Sequence, residues 1–237
     1  MTEDDARLTV EIQRINAEYA RRDLEIDPDL YAPWQPAEIL AVSERQRTAA
    51  LILKRAGKFP VRGDRCLEIG YGKLGWLGSL ISWGLCDSDL YGIELDGKKA
   101  CVAKEALKGA SLEVGNAADL PWEDNYFRFV IASTVFSSIL DERVRNLIAK
   151  EMDRVLAPGG VIIWYDIAIN NYKNKNIKRI SKKDLEAMFP NFDRRIQPIT
   201  LAPPIARRIA TWSWPLATVL SSVPFLRSHL LAVLIKR

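Results

Sequence analysis

Short apolar stretches and longer amphipathic stretches alternate through the middle of the chain. The short stretches resemble buried strands, and the longer ones repeat apolar residues at helical spacing. Strands are predicted at residues 65–69, 90–95, 111–114, 127–133 and 161–166. Helices between them are predicted at residues 74–83, 97–107 and 141–156. This alternation predicts right-handed crossovers and a parallel sheet with helices on both faces.

Both ends of the chain depart from this alternation, so three regions are predicted: a helical cap at residues 1–60, the alternating core at 61–171 and a C-terminal part at 172–237. Outside the core, the predicted elements are helices at 8–19 and 36–56, a helix capped by Ser181, and strands at 193–201 and 230–235. The predicted fold is an α/β, Rossmann-like, doubly wound and mostly parallel seven-stranded sheet. It carries the N-terminal helical cap and a helical insertion before the last strand, all in one structural domain.

The composition is that of an ordinary folded protein, because 48% of the 237 residues are hydrophobic and 27% are charged. Disorder, collagen and coiled coil are excluded. The three cysteines lack the spacing of a zinc site and the even count of a disulfide framework, so no metal site is predicted. The acidic N-terminus does not resemble a signal peptide, and no apolar stretch reaches the length of about 18 residues that a span needs. A cytoplasmic protein is expected.

Positive charge is concentrated at the C-terminal end. Residues 173–237 hold 13 Lys and Arg against three acids, whereas the net charge of the whole chain is only +4. This asymmetry predicts that the C-terminal part faces an anionic partner: a phosphate-bearing substrate, nucleic acid or a membrane surface. A solvated basic face is the alternative.

The strongest local signal is a glycine-rich turn after the first predicted strand. The string Cys66-Leu-Glu-Ile-Gly-Tyr-Gly-Lys-Leu-Gly75 leads from a strand into a helix, and Gly70 and Gly72 allow a ligand to approach the backbone. Glu94 ends the next strand, 24 residues after Gly70, where an acid can accept hydrogen bonds from both hydroxyls of an adenosine ribose. Together the two signals indicate an adenosyl cofactor.

Two cofactor classes compete for this motif. Gly70, Gly72 and Gly75 have the spacing of a dinucleotide fingerprint, but Glu68 stands two residues ahead of the first glycine. An acid there would repel a pyrophosphate, whereas it suits the cationic amino end of S-adenosylmethionine, directly or through water. The methyl donor therefore fits better than a nicotinamide or flavin dinucleotide.

Residues 63–166 resemble a class I S-adenosylmethionine-dependent methyltransferase of the type 11 kind. Glu68-Ile-Gly-Tyr-Gly72, which includes Tyr71, is similar to the first motif of that family, and Gly92-Ile-Glu-Leu95 is similar to the second. Two further similar segments begin at Gly115 and at Arg154. The chain departs from the family pattern at Asn116 and Arg128, where Asp is usual, although the carbonyl oxygen of Asn116 can still accept from adenine.

The resemblance implies that residues 61–171 bind S-adenosylmethionine. The residues implied to contact it are Glu68, Gly70, Tyr71, Gly72, Glu94, Leu95, Asn116, Ala117 and Ser133. Of these, Glu94 would hold the ribose, Asn116 and Ala117 would meet the adenine, and Leu95 would pack on the ring. Core packing is the alternative for Leu95, Ala117 and Ser133.

Methyl transfer mainly needs an in-line nucleophile near the activated methyl group, although an alcohol acceptor benefits from a base. Asp166, at the end of the fifth strand, is the best candidate base, with Tyr165 and Asn170 as positioning candidates. The alternative is that Asp166 caps a turn and that Tyr165 is a half-buried aromatic residue. His229 is a weaker catalytic candidate, for which a structural or surface role is favoured.

The C-terminal part is similar to bacterial methyltransferases associated with cell-surface polysaccharide synthesis, in the segments that begin at Trp164, Ile199 and Pro224. That resemblance implies a sugar hydroxyl as acceptor, with Arg207, Arg208 and Arg227 binding a diphosphate. A helical hairpin that covers the sheet edge or forms a dimer contact is the alternative.

Four interpretations are kept: a small-molecule or glycan O-methyltransferase, an RNA methyltransferase, a non-catalytic S-adenosylmethionine-binding partner subunit, and a peripheral membrane protein at the inner membrane face. Nucleic acid is disfavoured because no RNA-binding module is recognisable. The formation of a homodimer is kept as an open alternative. The N-terminal helices, with Tyr19, Tyr31 and Trp34, are hypothesised to close over the site.

Overall fold

A single twisted sheet of seven strands organises the computed structural model, which describes residues 3–170 and 174–237. The strands are β1 (Cys66–Ile69), β2 (Leu90–Glu94), β3 (Ser111–Val114), β4 (Phe127–Ser133), β5 (Leu156–Ile167), β6 (Phe192–Leu201) and β7 (Arg227–Lys236). Their order is β3-β2-β1-β4-β5-β7-β6, with β1 to β5 parallel and β7 antiparallel to both of its neighbours. The predicted Rossmann-like, mostly parallel sheet is confirmed.

Helices cover both faces of the sheet and both ends of the chain. They are α1 (Glu3–Glu25), α2 (Pro36–Arg55), α3 (Leu77–Ser82), α4 (Gly97–Ala106), α5 (Glu142–Val155), α6 (Lys182–Met188), α7 (Pro203–Trp212) and α8 (Trp214–Ser221). The first two form the N-terminal helices, and α7 and α8 form the insertion between β6 and β7. The predicted boundary between residues 171 and 172 lies outside the described ranges.

Alternation along the central strands gives the sheet its two apolar faces. Leu67 and Val130 pack with Ile148 of α5 on one face, whereas Cys66 and Phe129 pack against α2, α3 and α4 on the other. Successive side chains of a strand point to opposite faces, so strands that are apolar throughout must be covered on both sides. This burial fixes the carboxyl ends of β1, β2 and β4 side by side.

The strand β5 begins earlier than predicted. It starts at Leu156, directly after α5, and the pairing with β4 shifts register between Phe127 and Phe129. Gly159, at φ 69°, lies in this irregular segment, and its carbonyl accepts from Arg128 Nη1 at 2.6 Å. The irregular pairing therefore takes up residues 157–160, which lie between the predicted helix and the predicted strand. It also explains why a cation stands at position 128.

Candidate functional site

A cavity of about 320 Å³ opens at the carboxyl ends of β1, β2 and β4. Of the residues predicted to bind the cofactor, those that line it are Gly70, Gly72, Glu94, Leu95, Asn116, Ala117 and Ser133. Parallel sheets place ligands at this edge, where the strands release their loops. The structure thus brings seven predicted residues to one site.

The glycine turn at the end of β1 is shaped by two residues with positive φ. Gly70 has φ 67°, and a Cβ atom there would lie 2.7 Å from Val135 Cγ2. Gly72 has φ 59°, and a Cβ atom there would meet no atom within 4 Å, because the position faces open space in the cavity wall. Gly70 therefore permits close packing, whereas Gly72 leaves room for a ligand.

Glu94 is a buried carboxylate in the cavity wall at the end of β2. Its Oε2 accepts from the backbone N of Gly72 at 2.7 Å, and its Oε1 accepts from the backbone N of Asp96 at 3.0 Å. Each carboxylate oxygen can accept more than one hydrogen bond, so both retain capacity for hydroxyl donors. The carboxylate is thereby fixed in orientation at the point where a ribose is expected.

Asn116 and its neighbours form the next part of the wall. The Oδ1 atom of Asn116 accepts from Ala118 N at 3.0 Å, which fixes the side chain in a turn and leaves one lone pair of the oxygen. Leu95 and Ala117 add apolar surface beside it. A polar acceptor between apolar groups is suited to a planar, amino-bearing ring.

Glu68 and Tyr71 do not line the cavity, contrary to the sequence-based prediction. Glu68 is fully buried and accepts from the backbone N of Trp76 at 2.7 Å and of Leu77 at 3.1 Å. Burial raises the pKa of Glu68 to about 8, although the bond from Trp76 opposes this. A Cβ atom at Gly75 would collide with this carboxylate, so the third glycine of the motif serves Glu68.

Tyr71 has a structural role as well. Its ring occupies the space that a Cβ atom of Gly92 would fill, and its hydroxyl donates to the carbonyl of Glu113 at 3.2 Å. The side chain is almost completely buried. Tyr71 therefore packs the glycine turn against β2 rather than contacting a ligand in the cavity.

The predicted base Asp166 likewise lies outside the cavity lining. Its side chain is fully buried, where Oδ2 accepts from Ser137 N at 3.0 Å and Oδ1 accepts from Ile167 N at 2.8 Å. Burial raises its pKa to about 6. Asp166 caps the turn Phe136–Ser138, as in the alternative interpretation, and does not line the cavity.

Tyr165 and His229 form a buried stack away from the cavity, with ring centroids 4.8 Å apart and parallel planes. The Tyr165 hydroxyl lies 3.0 Å from Thr200 Oγ1, and the guanidinium of Arg45 covers the other side of the ring at 5.4 Å. Burial and, to a smaller extent, the charge of Arg45 lower the pKa of His229 to about 4. The imidazole is therefore neutral near pH 7, and neither ring lines the cavity.

The four predicted substrate-binding residues also lie outside the cavity lining. Arg227 is committed to the fold, because it donates to the carbonyls of Ser221 at 2.7 Å and of Pro198 at 3.0 Å. Asn170 and Arg208 are exposed. Arg207 lies over the ring of Tyr31 at 5.1 Å.

The helix α1 supplies one wall of the cavity, and of its lining residues only Tyr19 was named in the hypothesis of a helical lid. Its lining residues Leu8, Ile12, Ile15 and Tyr19 recur at helical spacing on one face. Lys99 Nζ lies 3.6 Å from the Tyr19 ring centroid, while burial raises the pKa of Tyr19 to about 12. The apolar periodicity at residues 8–19 was the available signal. The cover formed by α1 agrees with the hypothesis of a helical lid, whereas Trp34 is exposed.

A second cavity, of about 340 Å³, adjoins the first. The two share the residues Tyr19, Arg22, Lys73 and Lys99. Tyr31 lines only the second, and its ring lies under Arg22 at 6.0 Å and under Arg207. The second cavity is therefore edged by cations, although Asp23 and Asp27 also line it.

The Asp166 carboxyl makes stability depend on pH. Its folded pKa of about 6 lies above the unfolded value, so the proton is held more tightly in the folded state. The resulting stabilisation is present below about pH 4 and is lost as the pH rises through 6. Urea unfolding from pH 4 to 7 should therefore show the wild type losing on the order of 3 kcal/mol relative to Asp166→Asn. Parallel pH profiles for the two proteins would contradict the assignment.

The sheet order, the glycine turn and the carboxylate after β2 define the class I S-adenosylmethionine-dependent methyltransferase fold. Residues 67–164 match the family described as a methyltransferase domain. Over 106 residues the chain is 31% identical to the demethylmenaquinone methyltransferase of Bacillus mycoides, a match that covers 43% of this chain and 44% of that relative. The chain thus spans less than half of the length of this relative.

Solved structures support the same fold. A protein from Pyrococcus horikoshii superposes with a TM-score of 0.60 at 18% identity, covering 93% of this chain and 99% of that chain. An S-adenosylmethionine-dependent methyltransferase from Thermotoga maritima also superposes, with a TM-score of 0.58 at 18% identity. The match covers 94% of this chain and 97% of that protein, which is described as a possible histamine N-methyltransferase. The domain and the fold support a methyltransferase and imply S-adenosylmethionine as its cofactor.

The residues at the cavity fit this cofactor. Gly72 leaves open space where a side chain would intrude, Glu94 presents a carboxylate with free acceptor capacity, and Asn116 offers an amide oxygen. In residues 3–170 and 174–237, no three His, Cys, Asp or Glu side chains are grouped to hold a metal ion.

Proposed function

We propose that the chain transfers a methyl group from S-adenosylmethionine to a small-molecule acceptor. The observation that carries the proposal is the joining of Gly70, Gly72, Glu94 and Asn116 around one cavity under α1. Bound there, the cofactor supplies a methyl group on a positively charged sulfur, which is already activated for transfer.

In this proposal the protein contributes position and exclusion of water. Glu94 and Asn116 hold the nucleoside portion, and the apolar face of α1 covers it. The carboxyl groups of Asp166 and Glu68 are used in internal hydrogen bonds, so neither serves as a base in the proposed mechanism. Orientation of the reactants can supply much of the rate enhancement for such a transfer.

The second cavity is the proposed entrance for the acceptor. It adjoins the cofactor cavity, and Lys73 at their junction is exposed and makes no ion pair with the described residues. Cations at this junction favour an acceptor that carries a phosphate or carboxylate group. Transfer to oxygen, a sugar or glycan acceptor and a cytoplasmic location stay predictions.

Methyl transfer from labelled S-adenosylmethionine to a panel of acceptors tests the proposal. The panel should contain a nucleotide-linked sugar, demethylmenaquinone, simple phenols and total RNA, each with S-adenosylhomocysteine as an inhibitor control. We expect label in a small-molecule acceptor. Label in RNA alone would mean that the acceptor is RNA and not a small molecule. Cofactor binding without turnover on any acceptor would favour a non-catalytic binding subunit.

A further inference from the structure

The insertion between β6 and β7 exposes several large apolar side chains on neighbouring elements, which are here called the aromatic surface. Its members are Trp212, Trp214, Leu216, Val219 and Phe225. Trp212 is 79% exposed, Val219 is 64% exposed and Phe225 is 86% exposed. Burying one such side chain contributes about 1.5–3 kcal/mol of favourable free energy. Binding of a partner over these exposed side chains would therefore be strongly favourable.

The opposite face of the insertion is buried against the rest of the protein. Ala206, Ala210 and Ala217 pack against Ala37 and Leu40 of α2, and this cluster closes on the end of β6. The small residues of the insertion thus lie inward, while its largest ones point outward. Packing against the sheet does not account for the tryptophans, so the aromatic surface fits an external partner.

The charge of this region indicates which partner. The insertion with its flanks, residues 202–227, contains three Arg and no Asp or Glu. Arg208 is exposed on α7 and forms no ion pair with the described part of the chain. A protein partner with an acidic face would suit the charge, but tryptophan and phenylalanine beside arginine are most typical of helices that lie in a lipid interface.

We propose that the aromatic surface docks on an anionic lipid bilayer. Trp212, Trp214 and Phe225 enter the interface, and Arg208 lies at the level of the lipid phosphates. The helices α7 and α8 have ten and eight residues, so they rest in the plane of the interface. Within the described ranges, no helix combines the length and the apolar character that crossing a bilayer requires. The proposal does not depend on methyl transfer.

Co-sedimentation of the full chain with vesicles tests it. One set of vesicles contains phosphatidylcholine with about a third phosphatidylglycerol, and the other contains phosphatidylcholine alone, so that the negative charge is the variable. The test variant is Trp212→Ser with Phe225→Ser. The matched control is Leu24→Ser, because Leu24 of α1 is 88% exposed and lies outside the aromatic surface.

We expect the wild type and Leu24→Ser to bind the anionic vesicles, with binding weakened by salt. The double variant should bind at least 10-fold more weakly, and Arg208→Gln should lose part of the preference for negative charge. Because these side chains are exposed, circular dichroism should be unchanged. Equal sedimentation of wild type and double variant would overturn the proposal. Self-association abolished by the double variant, with no vesicle binding, would assign the surface to a second copy instead.

Discussion

Glu94→Ala is expected to weaken binding of S-adenosylmethionine and S-adenosylhomocysteine at least 100-fold in isothermal titration. The carboxylate is the charged acceptor at the expected ribose position, and charge-assisted hydrogen bonds contribute about 1.5–3 kcal/mol each. Two such bonds correspond to a factor of about 100 or more in affinity. The substitution also releases the backbone N of Gly72, which Glu94 Oε2 holds at 2.7 Å.

Two comparisons separate a lost contact from a lost fold. Glu94→Gln keeps one oxygen acceptor and should lose less affinity than the alanine variant, while Glu105→Ala removes an exposed carboxylate from α4 and should bind as the wild type does. NAD should bind to none of these proteins. Undiminished binding of the adenosyl ligands by a correctly folded Glu94→Ala would mean that the cavity is not the cofactor site.

The second large effect is on stability rather than on binding. Glu68→Ala should lower the free energy of unfolding by about 3 kcal/mol or more, because it leaves two buried backbone donors, at Trp76 and Leu77, without their acceptor. Chemical denaturation at pH 7 measures this loss. Glu105→Ala, which removes an exposed carboxylate, should stay within about 0.5 kcal/mol of the wild type.

The same residue distinguishes two interpretations of the motif. If Glu68 served the amino end of the cofactor, Glu68→Gln would bind S-adenosylmethionine much more weakly. Because the side chain does not line the cavity, the glutamine variant should retain affinity to within a few-fold while losing stability. A large loss of affinity in a stable Glu68→Gln variant would restore the sequence-based interpretation.

The sheet could be predicted because the pattern of apolar residues within each segment determines whether that segment forms a strand or a helix. Strands such as β4 are apolar throughout, and the helices between them repeat apolar residues at helical spacing, so alternation identifies both. The same holds for Gly70, Gly72 and Glu94, whose places follow from their positions at strand ends. The position of each of these residues in the fold is determined by the sequence within a few residues on either side of it.

The predicted catalytic residues that lie outside the cavity lining take their surroundings from distant parts of the chain. Asp166 is buried by a turn 29 positions earlier, to which it is hydrogen-bonded through Ser137. Tyr165 is covered by His229 of β7 and by Arg45 of α2. The end of β5, which would be open in an isolated sheet, is covered here by β7, by α2 and by the turn Phe136–Ser138. Only the assembled packing shows that these polar groups are occupied.

The helix α1, which covers the cavity, is attached both by apolar contacts of Leu8 and Ile15 with the core and by polar contacts. Glu11, the buried residue of α1, accepts from Leu140 N at 2.6 Å, and Arg7 pairs with Asp141 at 3.1 Å. Exposed ion pairs of this kind are weak and are screened by salt. An element whose apolar side chains are only partly buried, as those of α1 are, opens at lower free energy than the core. Ionic strength should therefore set the residence time of the donor, with faster exchange in concentrated salt and slower exchange in dilute buffer.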